Sequence, residues 1–459
     1  MVEPQLQSNQ SDEISQQSRS QKLFRAIWRW HFYAGMFFAP FLVMLALTGG
    51  VYLFKPQIEE IMYKDKFQVQ AEKSELKPSE QISQVKKEYP YAQIVRYQPH
   101  PKATRSSEVG ILDGEKSLTV FVNPYNGKVL GDLNDEDRLM EKLRAIHGEL
   151  MAGTTGDRLV ELAACWGLIL VISGIYLWWP RNKSGVFGVL LPRLKAGKRN
   201  FWRDLHAVPA FWLSLGIAFL ILTGLPWSGF WGEQVQKIGM TAGIGYPAGM
   251  KGEAPESKVP SKDVAKVPWA AEQRPVPKSK SHKVTPISID KAVAIANKRN
   301  VYPGYNVNFP EGKKGVYTIS VFPDKATDEA TLHLDQYSGK VLDDYRFKDY
   351  GPMAKAISMG ISLHQGTYFG FLNQLLCLAI CLGIILISIT GLIMWWKRKP
   401  DKQLGAPTLP KNFRLAKGVG ILIILLGILF PLAGLSLIVV LLLDWLVIRR
   451  IPALKKWIG

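Results

Sequence analysis

"WRWHFYAGMFFAPFLVMLALTGG" occupies residues Trp28–Gly50, and from Phe32 to Phe54 the chain carries no charged side chain. That run is long enough to cross a bilayer core as a helix. It follows roughly twenty polar residues and closes without a small-residue cleavage site, which argues against a removed signal peptide. A histidine, His31, stands at its mouth. "WRDLHAVPAFWLSLGIAFLILTG" (Trp202–Gly224) repeats the arrangement: His31 precedes Thr48-Gly49 by seventeen residues, and His206 precedes Thr223-Gly224 by the same seventeen.

Mean hydropathy over the 459 residues is close to zero, but apolar and polar stretches alternate sharply. The class is an α-helical integral membrane protein. Membrane segments are expected over 25–55, 158–180, 205–227 and 370–396, and a further apolar region covers 418–448. The net charge of +19 does not point to nucleic acid, because its cations flank the spans. Seven basic and no acidic residues lie between Arg181 and Arg203. Lys22, Arg25 and Arg29 precede the first span, and Lys397, Arg398 and Lys399 follow the fourth. By the positive-inside rule the polar tail 1–24, the loop 181–204 and the loop 397–417 are cytoplasmic. Segments 56–157 and 228–369 are then extracytoplasmic. The last apolar region reads as a hairpin of two short helices that returns the basic tail 449–459 to the cytoplasm; one kinked span is the alternative. Cys165, Cys377 and Cys381 all fall within spans, where small packing residues are the simplest reading, and a disulfide framework is not expected.

The chain is written twice. "ISGIYLWWPR" (172–181) closes the second span and "ITGLIMWWKR" (389–398) the fourth, at an offset of 217 that also carries His147 onto His364 and Gly153 onto Gly370. Between the spans, "VNPYNGKVLGD" (122–132) parallels "LDQYSGKVLDD" (334–344). The expected architecture is an internally duplicated four-helix core with two extracytoplasmic α+β domains and a C-terminal hairpin. Helices are expected over 79–90 and 288–298, with strands and a Gly-containing hairpin turn after each. The Pro- and Lys-rich stretch 245–283 reads as a flexible excursion, and "GTTGDR" (153–158) as a break between His147 and its span. If the halves pack about a pseudo-two-fold axis, His31 faces His206 and His147 faces His364.

Neutral imidazole ligates zinc, copper and haem iron. Each expected pair brings two histidines from two helices and no neighbouring thiolate, which suits two axial ligands of a haem better than a zinc site. Two bis-histidine haems are therefore expected, held by His31 with His206 and by His147 with His364. Arg25, Arg29 and Arg203 lie at helical offsets from the first pair and are candidates for holding haem propionates, against a bland role in setting topology. The tryptophan pairs 178–179 and 395–396 read as an interfacial aromatic belt. Gly49, Gly174, Gly224 and Gly391 admit either close approach of a macrocycle or helix crossing. His100, His282 and His333 stand in polar stretches and are expected to be solvated.

The span ends "RWHFYAG", "IHGEL", "RDLHAVPA" and "LHQG" within this duplicated pattern resemble the PepSY-associated transmembrane family, and "YNGKVLGD" and "YSGKVLDD" are similar to the ends of PepSY domains. The resemblance covers most of the chain beyond the first twenty residues. It implies a multi-pass protein of the bacterial inner membrane associated with iron acquisition. It further implies b-type haem and reduction of ferric siderophores or other Fe(III) chelates, with electrons from a cytoplasmic reductase or from quinol. No glycine-rich dinucleotide motif stands between a strand and a helix, so nicotinamide or flavin chemistry falls to a partner. Two alternatives stay open: a regulatory or peptide-binding membrane protein without redox activity, and a transporter of haem or of an iron chelate.

Overall fold

The structure is a computed structural model that describes residues 3–180, 185–195, 197–245, 257–280, 285–401, 403–407, 417–448 and 450–458. The chain forms two compact units. One takes residues 1–50, 146–232 and 377–459, the other residues 51–145 and 233–376.

The first unit is helical. It holds α1 (Glu3–Tyr52) as far as Gly50, α6 (Gly153–Trp178), α7 (Gly197–Gly224) and α11 (Phe371–Arg398) from Cys377 onward. Among the described residues four stretches are long and apolar enough to cross a membrane: Ser20–Tyr52, Gly153–Trp178, Gly197–Trp227 and Phe371–Arg398. Only 17 to 33% of the most apolar window of each is buried within the protein. The rest of that surface suits lipid, which solvates apolar side chains at no cost. Phe38 stacks on Trp166 with ring centroids 5.6 Å apart. Cys165, Leu225, Phe430 and Ala433 form a second buried cluster.

α12 (Lys417–Leu429) gives way to α13 (Pro431–Leu443) at Phe430, where proline takes the first helical position and loses no hydrogen bond there. A β-carbon built on Gly434 would lie 2.9 Å from the Gly427 Cα. One continuous helix would hold residues seven apart at about 10 Å, so the chain reverses. α12, at thirteen residues, is about 20 Å long, short of a full bilayer core, while α13 runs on through a π-helical turn at Asp444–Ile448. The Trp166 Nε1 donates to Ser436 Oγ at 3.0 Å and ties this hairpin to α6.

In the second unit the sequence leads to expect two small domains; the structure has one sheet instead. Its strands are β1 (Gln93–Gln98), β2 (Ser107–Asp113), β3 (Lys116–Val122), β4 (Val129–Asn134), β5 (Asn306–Asn308), β6 (Val316–Val321), β7 (Ala330–Asp335) and β8 (Val341–Arg346). They run in the order β4-β3-β2-β1-β5-β6-β7-β8 with antiparallel neighbours throughout. Each half is a four-stranded meander, and the halves meet where Arg96 pairs with Asn308 and Tyr97 with Val307. The joint covers on each side a strand edge that would otherwise offer unpaired amides. α4 (Pro78–Glu88) and α9 (Ile289–Lys298) pack over the sheet; Val85, Ala292 and Ala296 join Val109, Val120, Val307 and Leu332 in one core. Asp290 accepts from the Ser79 amide (2.8 Å) and hydroxyl (2.7 Å), an acidic cap at the start of α4 supplied by the other half.

Part of the expected flexible excursion is folded. Its residues 246–256 and 281–283 lie outside the described residues, and so does His282. Residues 257–280 form a strap in which Ser261 donates to Arg274 O and Val276 to Val259 O. Trp269, Ala270 and Ala271 are buried, an apolar knot that the surrounding Pro and Lys masked. The Ser320 hydroxyl donates to Lys266 O at 2.7 Å, placing the strap on β6. With cover on both faces, β6 and β7 are buried at every position.

That burial corrects the reading of His333 as solvated: it is fully buried, with Nδ1 3.1 Å from Thr318 Oγ1 and Nε2 3.4 Å from Ser261 Oγ. His100 is partly exposed, 3.2 Å from Glu75. Burial lowers His333 to about 3 and raises Glu329, just before the same strand, to about 7. The two oppose each other. The histidine's contribution is complete above its unfolded value near 6.5 and is lost as pH falls toward 3. The carboxyl's contribution is complete below about 4.5 and is lost as pH rises toward 7. Their slopes cancel between about 4.5 and 6.5. Glu329→Gln should expose the histidine limb, so that the melting temperature climbs with pH across that window; His333→Asn should make it decline instead. Calorimetry of the detergent-solubilised protein from pH 4 to 8 reads both, and flat profiles for both variants would refute the assignment.

Candidate functional site: paired histidines in the helical unit

His31 on α1 and His206 on α7 meet with ring centroids 6.5 Å apart and planes at 84°. Each ring is held by the helix that closes its half. His206 Nδ1 lies 2.9 Å from the Ile387 carbonyl, which can only accept, so this nitrogen carries the proton. His31 Nδ1 lies 2.8 Å from Ser173 Oγ. The Ser173 hydroxyl has an acceptor on its own helix in Ile169 O at 2.8 Å, and when its proton goes there it receives from the histidine. The carbonyl fixes His206 as the Nδ1–H tautomer, and the Ser173 hydroxyl can accept the same proton from His31. In that tautomer Nε2 keeps its lone pair, the state a metal ligand needs.

Glycine makes the room. A β-carbon at Gly174 would stand 3.3 Å from His31 Cε1, and one at Gly391 would stand 3.3 Å from His206 Cε1. Ser173-Gly174 and Thr390-Gly391 are related by the same offset of 217 as the tryptophan pairs. Sequence reading singled out these glycines but missed the hydroxyl residue before each; the offset was the available signal.

His147 lies on α5 (Leu139–Glu149), with Nδ1 3.0 Å from Thr48 Oγ1 and Cε1 against Gly49. Thr48 donates to Met44 O at 2.8 Å and so also accepts. The seventeen residues of α1 from His31 to Thr48 rise about 25 Å, which puts the two histidine seats at opposite ends of that span. The break between His147 and α6 runs from Leu150 and Met151 to Gly153, the first residue of the expected breaker "GTTGDR", all three at positive φ; the rest of that stretch forms the first turn of α6. His364 closes α10 (Pro352–His364) in the other unit. A left-handed Gly370 separates it from α11, as a left-handed Gly153 follows α5.

The arginines differ. Arg25 is exposed. Arg29 donates to Pro407 O at 2.8 Å and lies over the Tyr33 ring. Arg203 donates to Asp204 Oδ1 at 2.7 Å, and the same buried carboxylate takes Arg193 at 2.8 Å. Asp204 was invisible as a partner because it directly follows the basic run. Among the described residues no three His, Cys, Asp or Glu side chains converge, so no tetrahedral zinc-type donor set forms there.

The family described as PepSY-associated TM region matches residues 28–398, from the tryptophan before the first histidine to the arginine after the last tryptophan pair. The chain belongs to that family. No curated protein matches the sequence significantly.

Two further features of this PepSY-associated TM protein bear on how the site is held. The first tryptophan of each pair is a tether: Trp178 Nε1 donates to Val189 O at 3.0 Å, and Trp395 Nε1 donates to Leu404 O at 2.8 Å. Each binds the loop that follows its span. Glu161, an acidic residue inside the second apolar segment, is 1% exposed and accepts the Phe230 and Trp231 amides at 3.1 Å each. It caps the start of α8 (Trp231–Thr241) beside Asp157, which accepts the Gly229 amide. Cys165, Cys377 and Cys381 are buried and unbridged.

Proposed function

We propose that this membrane protein is a haem-containing electron-transfer protein of the bacterial inner membrane, with its N-terminus cytoplasmic, that reduces ferric siderophores or other Fe(III) chelates. The observation that supports it is the His31–His206 pair. His31 and His206 would hold one iron between them if each gave it a metal–nitrogen bond of about 2 Å, and a centroid separation of 6.5 Å leaves room for that. The donor set fits as well, with two imidazoles on different helices, His206 held in the ligating tautomer by a carbonyl and His31 beside a hydroxyl that can hold it in the same one. Haem, when bound, supplies one-electron chemistry at iron.

His147 and His364, matched by sequence, are the ligands proposed for a second, b-type haem. Arg25 and Arg29 remain the candidates for propionate contacts on the first; Arg203 reaches that role only by sharing its guanidinium with Asp204. The electron donor is a cytoplasmic reductase or quinol. Delivering one electron to a chelated Fe(III) gives Fe(II), which hard oxygen ligands hold far less tightly.

The deciding experiment is purification in mild detergent, oxidised and dithionite-reduced optical spectra, haem quantification, and anaerobic mixing of the reduced protein with an Fe(III) chelate. Low-spin haem that reoxidises as Fe(II) appears supports the proposal. A colourless protein that does not take up haem would favour the regulatory reading, and haem that exchanges freely with an external acceptor would favour transport.

A further inference from the structure

We propose that Ser173 is a positioning residue whose hydroxyl fixes the ring of His31 and sets its donor strength; the inference rests on the haem reading above. Three histidines in the helical unit share one seat, a Ser or Thr followed by Gly on a neighbouring element. In each, the hydroxyl proton goes to a carbonyl of its own helix, to Ile169, Met44 or Leu386. That leaves only lone pairs to offer the imidazole.

The seats are not equivalent. His206 Nδ1 has the Ile387 carbonyl at 2.9 Å, with Thr390 Oγ1 at a marginal 3.5 Å. His147 has the Leu45 carbonyl beside it as well as Thr48. Ser173 Oγ is the one acceptor that His31 Nδ1 has among the described residues. Loss of the hydroxyl therefore removes the whole second partner of His31, whereas loss of Thr390 or Thr48 leaves a backbone acceptor in place. An acceptor on the distal nitrogen makes imidazole a stronger donor and favours the ferric state.

The test is redox titration of the haem-loaded Ser173→Ala, Thr390→Ala and Ser173→Thr variants, followed optically, with ring ¹⁵N NMR of histidine-labelled protein. Ser173→Ala should shift the midpoint potential of one haem upward and leave the other in place. Thr390→Ala should leave both near the wild-type values, and Ser173→Thr should restore the wild-type potential. In the NMR spectrum His31 should be a pure Nδ1–H tautomer in the wild type and lose that purity in Ser173→Ala. A Ser173→Ala protein with full haem content and unchanged potentials would overturn the proposal. A protein that holds no haem overturns the electron-transfer reading instead. The NMR spectrum then still judges the seat, since an Nε2–H His31 in the wild type would overturn it.

Discussion

On the proposed haem pairing, His31→Ala should lower haem content from about two to about one per chain, and His206→Ala should give the same residual spectrum. The rings stand 6.5 Å apart on two different helices, so a haem held between them would depend on both, and removing either would leave it a single tether. The double variant should lose no more haem than either single one, the non-additivity expected of two residues that act as a unit. His147→Ala, whose seat lies at the other end of α1, should remove the other haem and spare this one. The near-perpendicular planes also predict a strongly anisotropic low-spin EPR signal, which disappears in both His31→Ala and His206→Ala. If the two variants lose different haems, or if each loses none, the pairing is wrong.

Tyr97→Ala should destabilise the whole sheet unit by about 3 to 5 kcal/mol, the usual cost of truncating a large buried aromatic side chain. Tyr97 is 1% exposed, its hydroxyl bonds Gln81 at 3.2 Å, and its backbone lies opposite both Val109 and Val307 at the joint between the meanders. Because α4 and α9 share one core with all the central strands, both halves should open together. Hydrogen exchange then rises in β6 and β7 as much as in β2 and β3. An increase confined to residues 93–134 would mean that the halves are independent domains after all.

Much of the molecule is local in its physics and so legible in the chain. Hydropathy alone places four membrane-crossing helices, because a run such as Phe32–Phe54 has no other comfortable solvent. Ser288 announces α9 by accepting the Lys291 amide at 3.3 Å, and the Gly-containing turns at Gly127 and Gly339, both left-handed, close their hairpins. Equal offsets singled out the four histidines before any geometry was known.

What the chain could not disclose is non-local. The bond between β1 and β5 joins residues some two hundred positions apart, and no periodicity within either strand encodes its neighbour. The polar strap over β6 and β7 hid His333 for the same reason: an alternating strand shows which residues share a face, but not what covers it. At the histidines, sequence supplied the side chains and the fold supplied their state. The proton on His206 sits where the Ile387 carbonyl holds it, and His31 Nδ1 is seated against the Ser173 hydroxyl. Hydropathy fixes which segments enter lipid because burial is a property of the segment itself; the tautomer and the 6.5 Å separation depend on atoms that only packing brings together.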